Sequence, residues 1–275
     1  MRLLITILIL ISLVFTSTSA YNDKPDFGVI SSVFSGADIA MPSEGSGLLI
    51  NPGYPLTEHS YNLSCNYTNH YNIAGLNSNS ITSRLSIGRY VLGAEYAGFG
   101  KNNLYGENNF RISGGVRLHK HFYAGLMYEY LSLDIGSYTN YASFGSIGFS
   151  GGYNNGTLGI AASVSGIKLN SKNIGDEEIN KLYLGGLSYR IANLSTLYLC
   201  FGSHSPGEWL GLGQSISLNQ IVSIHLGLRS KPTTPAMGIS LSQGFIRIGY
   251  SYRYHPVLGD THQAGLILNL KRKEE

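Results

Sequence analysis

The sequence predicts an all-β fold: a transmembrane antiparallel β-barrel of about fourteen strands, with an N-terminal plug or hatch segment. Composition is the first reason, because only 13% of the residues are charged, Gly (35) and Tyr (20) are abundant, and mean hydropathy is close to zero. The second reason is an alternation of apolar and polar residues through most of the chain. The third is an N-terminal export signal with no second apolar stretch long enough for a membrane helix.

Residues 1–20 have the organisation of a signal peptide. Arg2 is followed by the apolar run Leu3–Phe15 and by small residues that end at Ala20. We therefore expect cleavage near Ala20 and export. A weakly charged, exported β chain points to the bacterial outer membrane, with outer-membrane lipid as a partner. The net charge of +3 gives no reason to expect nucleic acid.

Residues 21–55 lack the period of a strand because Gly and Pro interrupt them repeatedly. The breakers are Pro42, Gly45, Gly47, Pro52, Gly53 and Pro55. Irregular backbone of this kind can lie inside a barrel, where lumen side chains satisfy its polar groups. We therefore predict a plug or hatch over 21–55, a barrel over 56–270, and a charged tail at 271–275.

The clearest alternation runs from Phe245 to Tyr254. Its apolar and aromatic side chains share one face, and two arginines lie on the other. Arginines facing a dry core would be costly, whereas a wet lumen would solvate them. The run from Phe110 to Leu118 has the same pattern. The predicted lumen-facing residues of the two runs are Arg111, Arg117, Arg247 and Arg253.

Turn residues divide the remaining chain into fourteen runs. The predicted strands are 57–68, 80–88, 90–99, 108–118, 121–134, 142–153, 157–168, 179–191, 194–203, 208–218, 221–230, 236–243, 244–254 and 260–270. Twelve strands remain possible if the second and third runs merge or detach. Short and longer connections, among them Lys231–Pro235, roughly alternate, as in barrels with tight turns at one end. Gly211 and Gly213 are expected to ease packing or curvature rather than to bind phosphate.

Other reactive residues give no site. Cys65 and Cys200 each lie in a strand-like run, and nothing in the sequence predicts that they pair. His119 and His121 flank a tight turn, where exposed turn residues are a simpler interpretation than a weak metal chelate. No nucleophile or paired acid stands at a catalytic spacing. We expect no enzyme, no cofactor and no metal.

Two stretches resemble a known family. Residues 36–56, GADIAMPSEGSGLLINPGYPL, resemble the segment before the first strand of FadL-like outer-membrane proteins, which contains an Asn-Pro-Ala motif. Here the motif is Asn51-Pro52-Gly53. Residues 258–270, LGDTHQAGLILNL, resemble the end of the PorV/PorQ-like branch, in which Leu-Gly-x-Thr-His precedes the last strand. The chain departs from the family at its end, where a charged tail replaces the usual terminal aromatic residue.

The resemblance implies a fourteen-stranded barrel with an N-terminal hatch that contains the motif Asn51, Pro52 and Gly53. It also implies two alternative functions. One is a channel or transporter for small hydrophobic molecules. The other is a docking or shuttle barrel for secreted proteins, as in PorV-like members of type IX secretion. Because the chain is small for the family, we expect short outer loops.

Overall fold

A computed structural model describes residues 28–42, 50–55, 60–101, 105–136, 138–172, 181–204 and 207–271. The predicted signal peptide therefore lies outside the described residues, as does most of the charged tail. The described residues form fourteen antiparallel strands that close into one barrel, with β1 paired to β14. The prediction of fourteen strands is confirmed, and the alternative of twelve is wrong.

The strands follow the predicted order with shifted ends. They are β1 Ser60–Asn69, β2 Asn77–Ile87, β3 Tyr90–Lys101, β4 Tyr105–Arg117, β5 Phe122–Ile135, β6 Tyr138–Asn154, β7 Leu158–Lys172, β8 Leu182–Ile191, β9 Ser195–His204, β10 Gly207–Ser217, β11 Val222–Ser230, β12 Thr233–Gln243, β13 Ile246–His255 and β14 Gly259–Lys271. Lys271, assigned to the tail from the sequence, is the last residue of β14 and lies opposite Ser60.

The alternation of the sequence becomes two faces of the wall. On β13, Ile248 and Tyr250 are 56% and 45% exposed on the outer face, whereas Ser251 is buried on the inner face. The same pattern around the barrel leaves large apolar side chains on the outside, where they would face lipid in a membrane.

Connections are short at both ends of the barrel. We call the end where β1 begins and β14 finishes the terminal end, and the opposite end the far end. Apart from 70–76 and 173–181, no connection exceeds four residues, so the predicted alternation of short and long connections is wrong. Part of the predicted loop at Lys231–Pro235 belongs to β12, where Pro235 lies opposite Leu228. Pro235 is close to the strand end, where a missing N–H weakens the ladder least.

The wall is taller on one side than on the other. Strands β5, β6 and β7 have 14, 17 and 15 residues, whereas β8 has 10 and β11 has 9. The register shifts twice between β6 and β7 and once between β5 and β6. Bulges of this kind bend a strand and increase its twist, so the tall side is also the irregular side.

Two described parts of the N-terminal segment, 28–42 and 50–55, lie inside the barrel, and we call them the lumen segment. It contains the short helix α1, Ser31–Phe34, and a 3-10 helix, Ala37–Ala40. Ser35 and Gly36 are both left-handed (φ 51° and 86°), which ends α1 and turns the chain into the 3-10 helix.

The longest helices in the described part of the chain fall far short of the length and apolarity that a membrane-crossing helix requires.

The apolar core of the protein lies inside the barrel, between the lumen segment and the wall. One cluster joins Ile39 and Ile50 to Leu184 and Trp209 of the wall, and a second surrounds Phe34. The members of the second cluster are Val29, Ile30, Val33, Phe34, Ala37, Met41, Tyr198, Cys200, Ala236 and Ile267. The lumen is therefore partly apolar and filled, rather than uniformly polar and wet.

Candidate functional site in the barrel lumen

A belt of inward-facing glycines brings the wall into close contact with the lumen segment. A Cβ at Gly227 would lie 1.8 Å from the carbonyl oxygen of Val33, and one at Gly186 would lie 2.3 Å from the Ile39 side chain. The glycine belt consists of Gly115, Gly125, Gly159, Gly186, Gly211, Gly213, Gly227, Gly238, Gly249 and Gly265. Because each lacks a side chain, the segment occupies space that wall side chains would otherwise fill.

Hydrogen bonds hold the first part of the lumen segment to strands β1 and β13. Asn66 on β1 accepts a hydrogen bond from the Val29 amide through Oδ1, at 3.2 Å. The hydroxyls of Ser32 and Ser251 lie 3.0 Å apart, within hydrogen-bond distance. These contacts join α1 and the residues before it to the strands at the closure of the barrel.

Hydrogen bonds from β2 and β6 hold the second part of the lumen segment. The guanidinium of Arg84 donates to the Tyr54 carbonyl oxygen at 2.7 Å, and Asn154 donates to the Tyr54 hydroxyl at 2.8 Å. The Gly53 amide donates to the Ser150 hydroxyl at 2.9 Å. Arg84 was not among the residues predicted from the sequence, although polar residues alternate on the inner face of β2 from Ser78 to Ser86.

The predicted motif Asn51-Pro52-Gly53 forms a turn beside the wall. The Tyr54 amide donates to the Asn51 carbonyl oxygen at 3.1 Å, which places Asn, Pro and Gly at successive positions that favour a β-turn. The Asn51 side chain donates through Nδ2 to the Ile39 carbonyl oxygen and to the Tyr123 hydroxyl, both at 2.8 Å. Asn51 thus links both parts of the lumen segment to β5.

Gly53 replaces the alanine of the FadL-like motif, and its surroundings leave no room for a methyl group. A Cβ at this position would lie 2.5 Å from the main-chain carbonyl carbon of Ala124. A Cβ at Gly125, on the same strand, would lie 2.3 Å from the Gly53 amide nitrogen. The departure from the motif therefore accompanies an unusually close approach of two main chains.

Arg111 lies on the inner face but is buried between neighbouring strands and not solvated. It is 4% exposed and forms ion pairs with Glu95 and with Glu129, the latter at 2.9 Å. Thr82 and Ser146 donate further hydrogen bonds to these carboxylates. The expectation of a wet environment is wrong for Arg111, because neighbouring strands supply acceptors that replace water.

The other predicted arginines lie on inward-facing register positions. Arg247 lines a cavity in the lumen, and its Nε donates to the Ser242 hydroxyl at 2.8 Å. Arg117 and Arg253 share the parity of buried neighbours on their strands and are partly exposed. The structure therefore does not gather the four arginines into one site, and a shared role for them stays a prediction.

A cavity of about 440 Å³ opens at the terminal end of the lumen. The lumen segment forms one side of it through Phe34 and Tyr54, and the wall forms the other side through Tyr198, Arg190 and Arg247. The rings of Phe34 and Tyr198 are in contact, tilted by 37° with their centres 4.6 Å apart. The cavity therefore combines aromatic surface with positive charge.

Towards the far end, Trp209 covers the apolar cluster of the lumen segment. The Arg229 guanidinium lies 4.4 Å from the centre of the indole ring, and the His204 ring lies 4.9 Å from it. Trp209 packs flat over Gly202, at which a Cβ would lie 2.2 Å from the ring. The chain has a single Trp, so this residue is a natural fluorescence probe of the lumen.

The remaining candidate residues lie apart from one another. The ring centres of His119 and Phe122 lie 6.5 Å apart, and a ring nitrogen of His121 lies 3.3 Å from the Asn154 carbonyl oxygen. Cys65 is exposed, Cys200 is buried, and both are free thiols. In the described part of the chain, no three His, Cys, Asp or Glu side chains are grouped so that they could hold a metal ion.

Comparison with solved structures shows the fold. The chain is similar to the CymD monoaromatic hydrocarbon channel, with a TM-score of 0.63 and 12% identity over 93% of this chain and 100% of that one. It is also similar to a deletion mutant of the TodX monoaromatic hydrocarbon channel, with a TM-score of 0.56 and 9% identity over 85% and 97% of the two chains.

A third similar structure is the P. putida toluene transporter TodX, with a TM-score of 0.51 and 8% identity over 76% of this chain and 86% of that one. No family model and no curated protein matches the sequence. These neighbours are FadL-like barrels, in agreement with the broader of the two resemblances found in the sequence. The PorV/PorQ-like branch stays a prediction.

Proposed function

We propose that this protein is an outer-membrane channel for small hydrophobic molecules, and that the lumen segment is its hatch. The observation that carries the proposal is the interior of the barrel. Apolar side chains of the lumen segment and the wall form two buried clusters there, whereas a pore for hydrophilic solutes needs a polar lumen.

The outer surface supports a location in the outer membrane. Large apolar side chains alternate around the barrel, and every described strand is paired on both sides, so no open sheet edge would meet lipid. The neighbours in fold include channels for monoaromatic hydrocarbons and a toluene transporter, which supports a substrate class of small apolar molecules. Export by a signal peptide over residues 1–20 belongs to the same proposal.

The glycine belt supports the hatch. The lumen segment packs closely against these glycines, and hydrogen bonds and apolar contacts hold it there. Such a segment can shift without breaking any strand pairing. The alternative, a docking barrel for secreted proteins, rests on the C-terminal resemblance and on the small size of the chain, and it stays a prediction.

Uptake by whole cells tests the channel. We expect cells that produce the protein to take up labelled toluene faster at limiting concentration than cells without it, while uptake of a hydrophilic sugar stays unchanged. Initial rates of uptake are the measurement, with equal amounts of folded barrel verified by heat-modifiable mobility on a gel.

Two results would contradict the proposal. One is equal toluene uptake with and without the barrel, which would remove the transport function. The other is an equal rise in sugar uptake, which would indicate a general pore instead of a channel for apolar molecules. Recovery of the protein as a soluble periplasmic chain would contradict the location.

A further inference from the structure

The outer face of the wall has an apolar groove over strands β3, β4 and β5, near the terminal end. Gly114 on β4 forms its floor, because the exposed side chains of Leu92 on β3 and Leu126 on β5 lie opposite it on either side. Nothing lies within 4 Å of a Cβ placed at Gly114, so the space above it is open. The strands are paired without a break beneath the groove, which is therefore a depression in the wall and not an opening into the lumen.

The groove continues towards the terminal end between apolar side chains. Val116 extends the floor, with Tyr90 opposite it on β3 and Ala124 opposite it on β5. Ile87 of β2 adds to the side formed by Tyr90. An unfilled gap in an apolar surface loses van der Waals contacts. Because acyl chains are as apolar as Leu, close packing instead of escape from water would hold a chain in this groove.

Two exposed cations lie at the terminal end of the groove. Arg89 belongs to the turn between β2 and β3, and Lys120 belongs to the turn between β4 and β5. The Arg89 guanidinium lies 5.1 Å from the centre of the Tyr90 ring and donates to the Tyr90 hydroxyl at 2.8 Å, which places it beside the groove. The Arg117 amide donates to the Arg89 carbonyl oxygen at 2.8 Å and so joins this turn to β4. No carboxylate belongs to either turn or to the residues that line the groove.

The connections indicate which leaflet of an outer membrane meets the groove. The barrel begins and finishes at the terminal end, and the two longest connections, 70–76 and 173–181, lie at the far end. Outer-membrane barrels have their tight turns on the periplasmic side and their longer loops outside. The terminal end therefore faces the periplasm, where the leaflet consists of phospholipids.

We propose that this groove is a binding site for one anionic phospholipid of the periplasmic leaflet. An acyl chain lies over Gly114 between Leu92 and Leu126, and Arg89 and Lys120 bind the phosphate group. Guanidinium and ammonium groups donate charge-assisted hydrogen bonds to phosphate oxygens. The proposal requires the barrel to lie in a membrane, and it goes beyond the transport of hydrophobic molecules.

Native mass spectrometry of the full-length protein in detergent tests the headgroup. The probes are dioleoyl phosphatidylglycerol, dioleoyl phosphatidylcholine, which has the same chains but no net charge, and lipid A. Each Lys or Arg near a membrane surface strengthens binding of an anionic lipid by about fivefold. We therefore expect a single phosphatidylglycerol to bind at least about tenfold more tightly than phosphatidylcholine. Arg89→Gln and Lys120→Gln should each weaken phosphatidylglycerol binding by about fivefold, whereas Lys168→Gln, which changes an exposed cation on β7, should not.

A second variant tests the groove itself. Gly114→Leu fills the floor at a position where a Cβ meets open space, so the barrel should fold, as heat-modifiable mobility on a gel can verify. We expect this variant to lose the saturable binding of the first phosphatidylglycerol. Gly185→Leu is the matched control, because Gly185 on β8 also has nothing within 4 Å of a Cβ but lies outside the groove. It should bind the lipid as the unchanged protein does.

Four results would overturn the proposal. Equal binding of phosphatidylglycerol and phosphatidylcholine would show a nonspecific lipid shell, and equal losses in Gly114→Leu and Gly185→Leu would show that the groove is not the site. Tighter binding of lipid A than of phosphatidylglycerol would assign the groove to a lipid of the other leaflet. Dimers that disappear in Gly114→Leu would make the occupant a second copy of this chain.

The outcome is separable from that of the channel. Toluene uptake by a barrel without a lipid preference would leave the channel intact and remove the lipid site. Saturable phosphatidylglycerol binding that depends on Gly114, without any toluene uptake, would leave the site intact and remove the hydrocarbon channel.

Discussion

The barrel wall fills its lumen in two different ways. Strands β2 to β6, the ion-pair arc, carry long polar side chains that meet one another, with Arg111 between Glu95 and Glu129. Strands β7 to β14, the glycine arc, carry most of the glycine belt, and the lumen segment supplies the side chains there. Both solutions fill space, because a barrel interior tolerates few voids.

The difference between the arcs concerns what can move. Side chains of the ion-pair arc belong to the wall, and separating them would leave charges buried without partners. The filling of the glycine arc belongs to another part of the chain, and mostly apolar contacts hold it. We therefore expect the filling of the glycine arc to be able to move while the ion-pair arc keeps its shape.

The largest expected effect comes from adding bulk to the glycine arc. Gly227→Val places a side chain where the Val33 carbonyl oxygen lies, 1.8 Å from a Cβ, so the lumen segment cannot keep its seat. We expect the barrel to fold with a raised single-channel conductance in planar bilayers, close to that of a protein lacking residues 28–50. Gly185→Val is the control, because nothing lies within 4 Å of a Cβ there.

Equal conductance of the unchanged protein, Gly227→Val and the deletion variant would show that the segment does not close the lumen. The division into a fixed and a movable arc would then be wrong. A change in Gly185→Val as large as that in Gly227→Val would show that conductance responds to any bulk in the wall.

A smaller effect, on stability, is expected in the ion-pair arc. Arg111→Ala leaves Glu95 and Glu129 buried, 7% exposed each, without their common partner. Breaking a buried pair in this way costs about 3–5 kcal/mol of unfolding free energy. Urea titration followed by Trp209 fluorescence measures the change. Replacing both glutamates by Gln in the Arg111→Met background should restore most of the loss.

The contrast within the molecule is Arg190→Ala, which removes an exposed arginine of the glycine arc. Substitutions at exposed positions usually change stability by about 0.5 kcal/mol or less. Equal losses for Arg111→Ala and Arg190→Ala would mean that the ion pairs do not distinguish the two arcs.

The alternation of the sequence predicted the barrel, because a period of two directly reports which side chains leave the wall outward. The alternation placed Arg111 on the inner face, but it did not predict the ion pairs of Arg111 with Glu95 and Glu129. Those three residues lie on β4, β3 and β5, and their contacts depend on the register between strands. A run of alternating residues contains no information about the height at which its neighbours pair.

The glycine belt is a second case in which the sequence did not predict contacts between distant parts of the chain. Gly211 and Gly213 were expected to ease packing, and the structure gives the reason: both face Phe34 of a segment far away in the sequence. The motif Asn51-Pro52-Gly53 predicted a turn near the first strand because its residue types favour one. Its contacts with Ile39 and Tyr123 required the fold. Strand ends were the least predictable feature, since Thr233–Pro235 pairs despite its proline.

The smallest expected effect concerns the link between the two arcs. Asn51 donates to the Ile39 carbonyl oxygen of the lumen segment and to the Tyr123 hydroxyl of β5, so this side chain joins the first part of the lumen segment to the ion-pair arc. Asn51→Ala removes both hydrogen bonds, which should cost about 1–3 kcal/mol because each contributes about 0.5–1.5 kcal/mol. The barrel itself keeps its strand pairing, so the loss should be confined to the lumen segment.

Hydrogen exchange measured by mass spectrometry shows whether the loss of stability is confined to the lumen segment or extends to the barrel wall. In Asn51→Ala, amides of residues 28–42 should exchange faster, while those of β3 and β4 keep their protection. Tyr123→Phe removes only one of the two bonds and should produce about half the change. The double variant should exchange little faster than Asn51→Ala, because both substitutions remove the same Asn51–Tyr123 bond. Faster exchange throughout the barrel would show that the segment and the wall unfold as one unit, and the lumen segment would then be a structural core instead of a hatch.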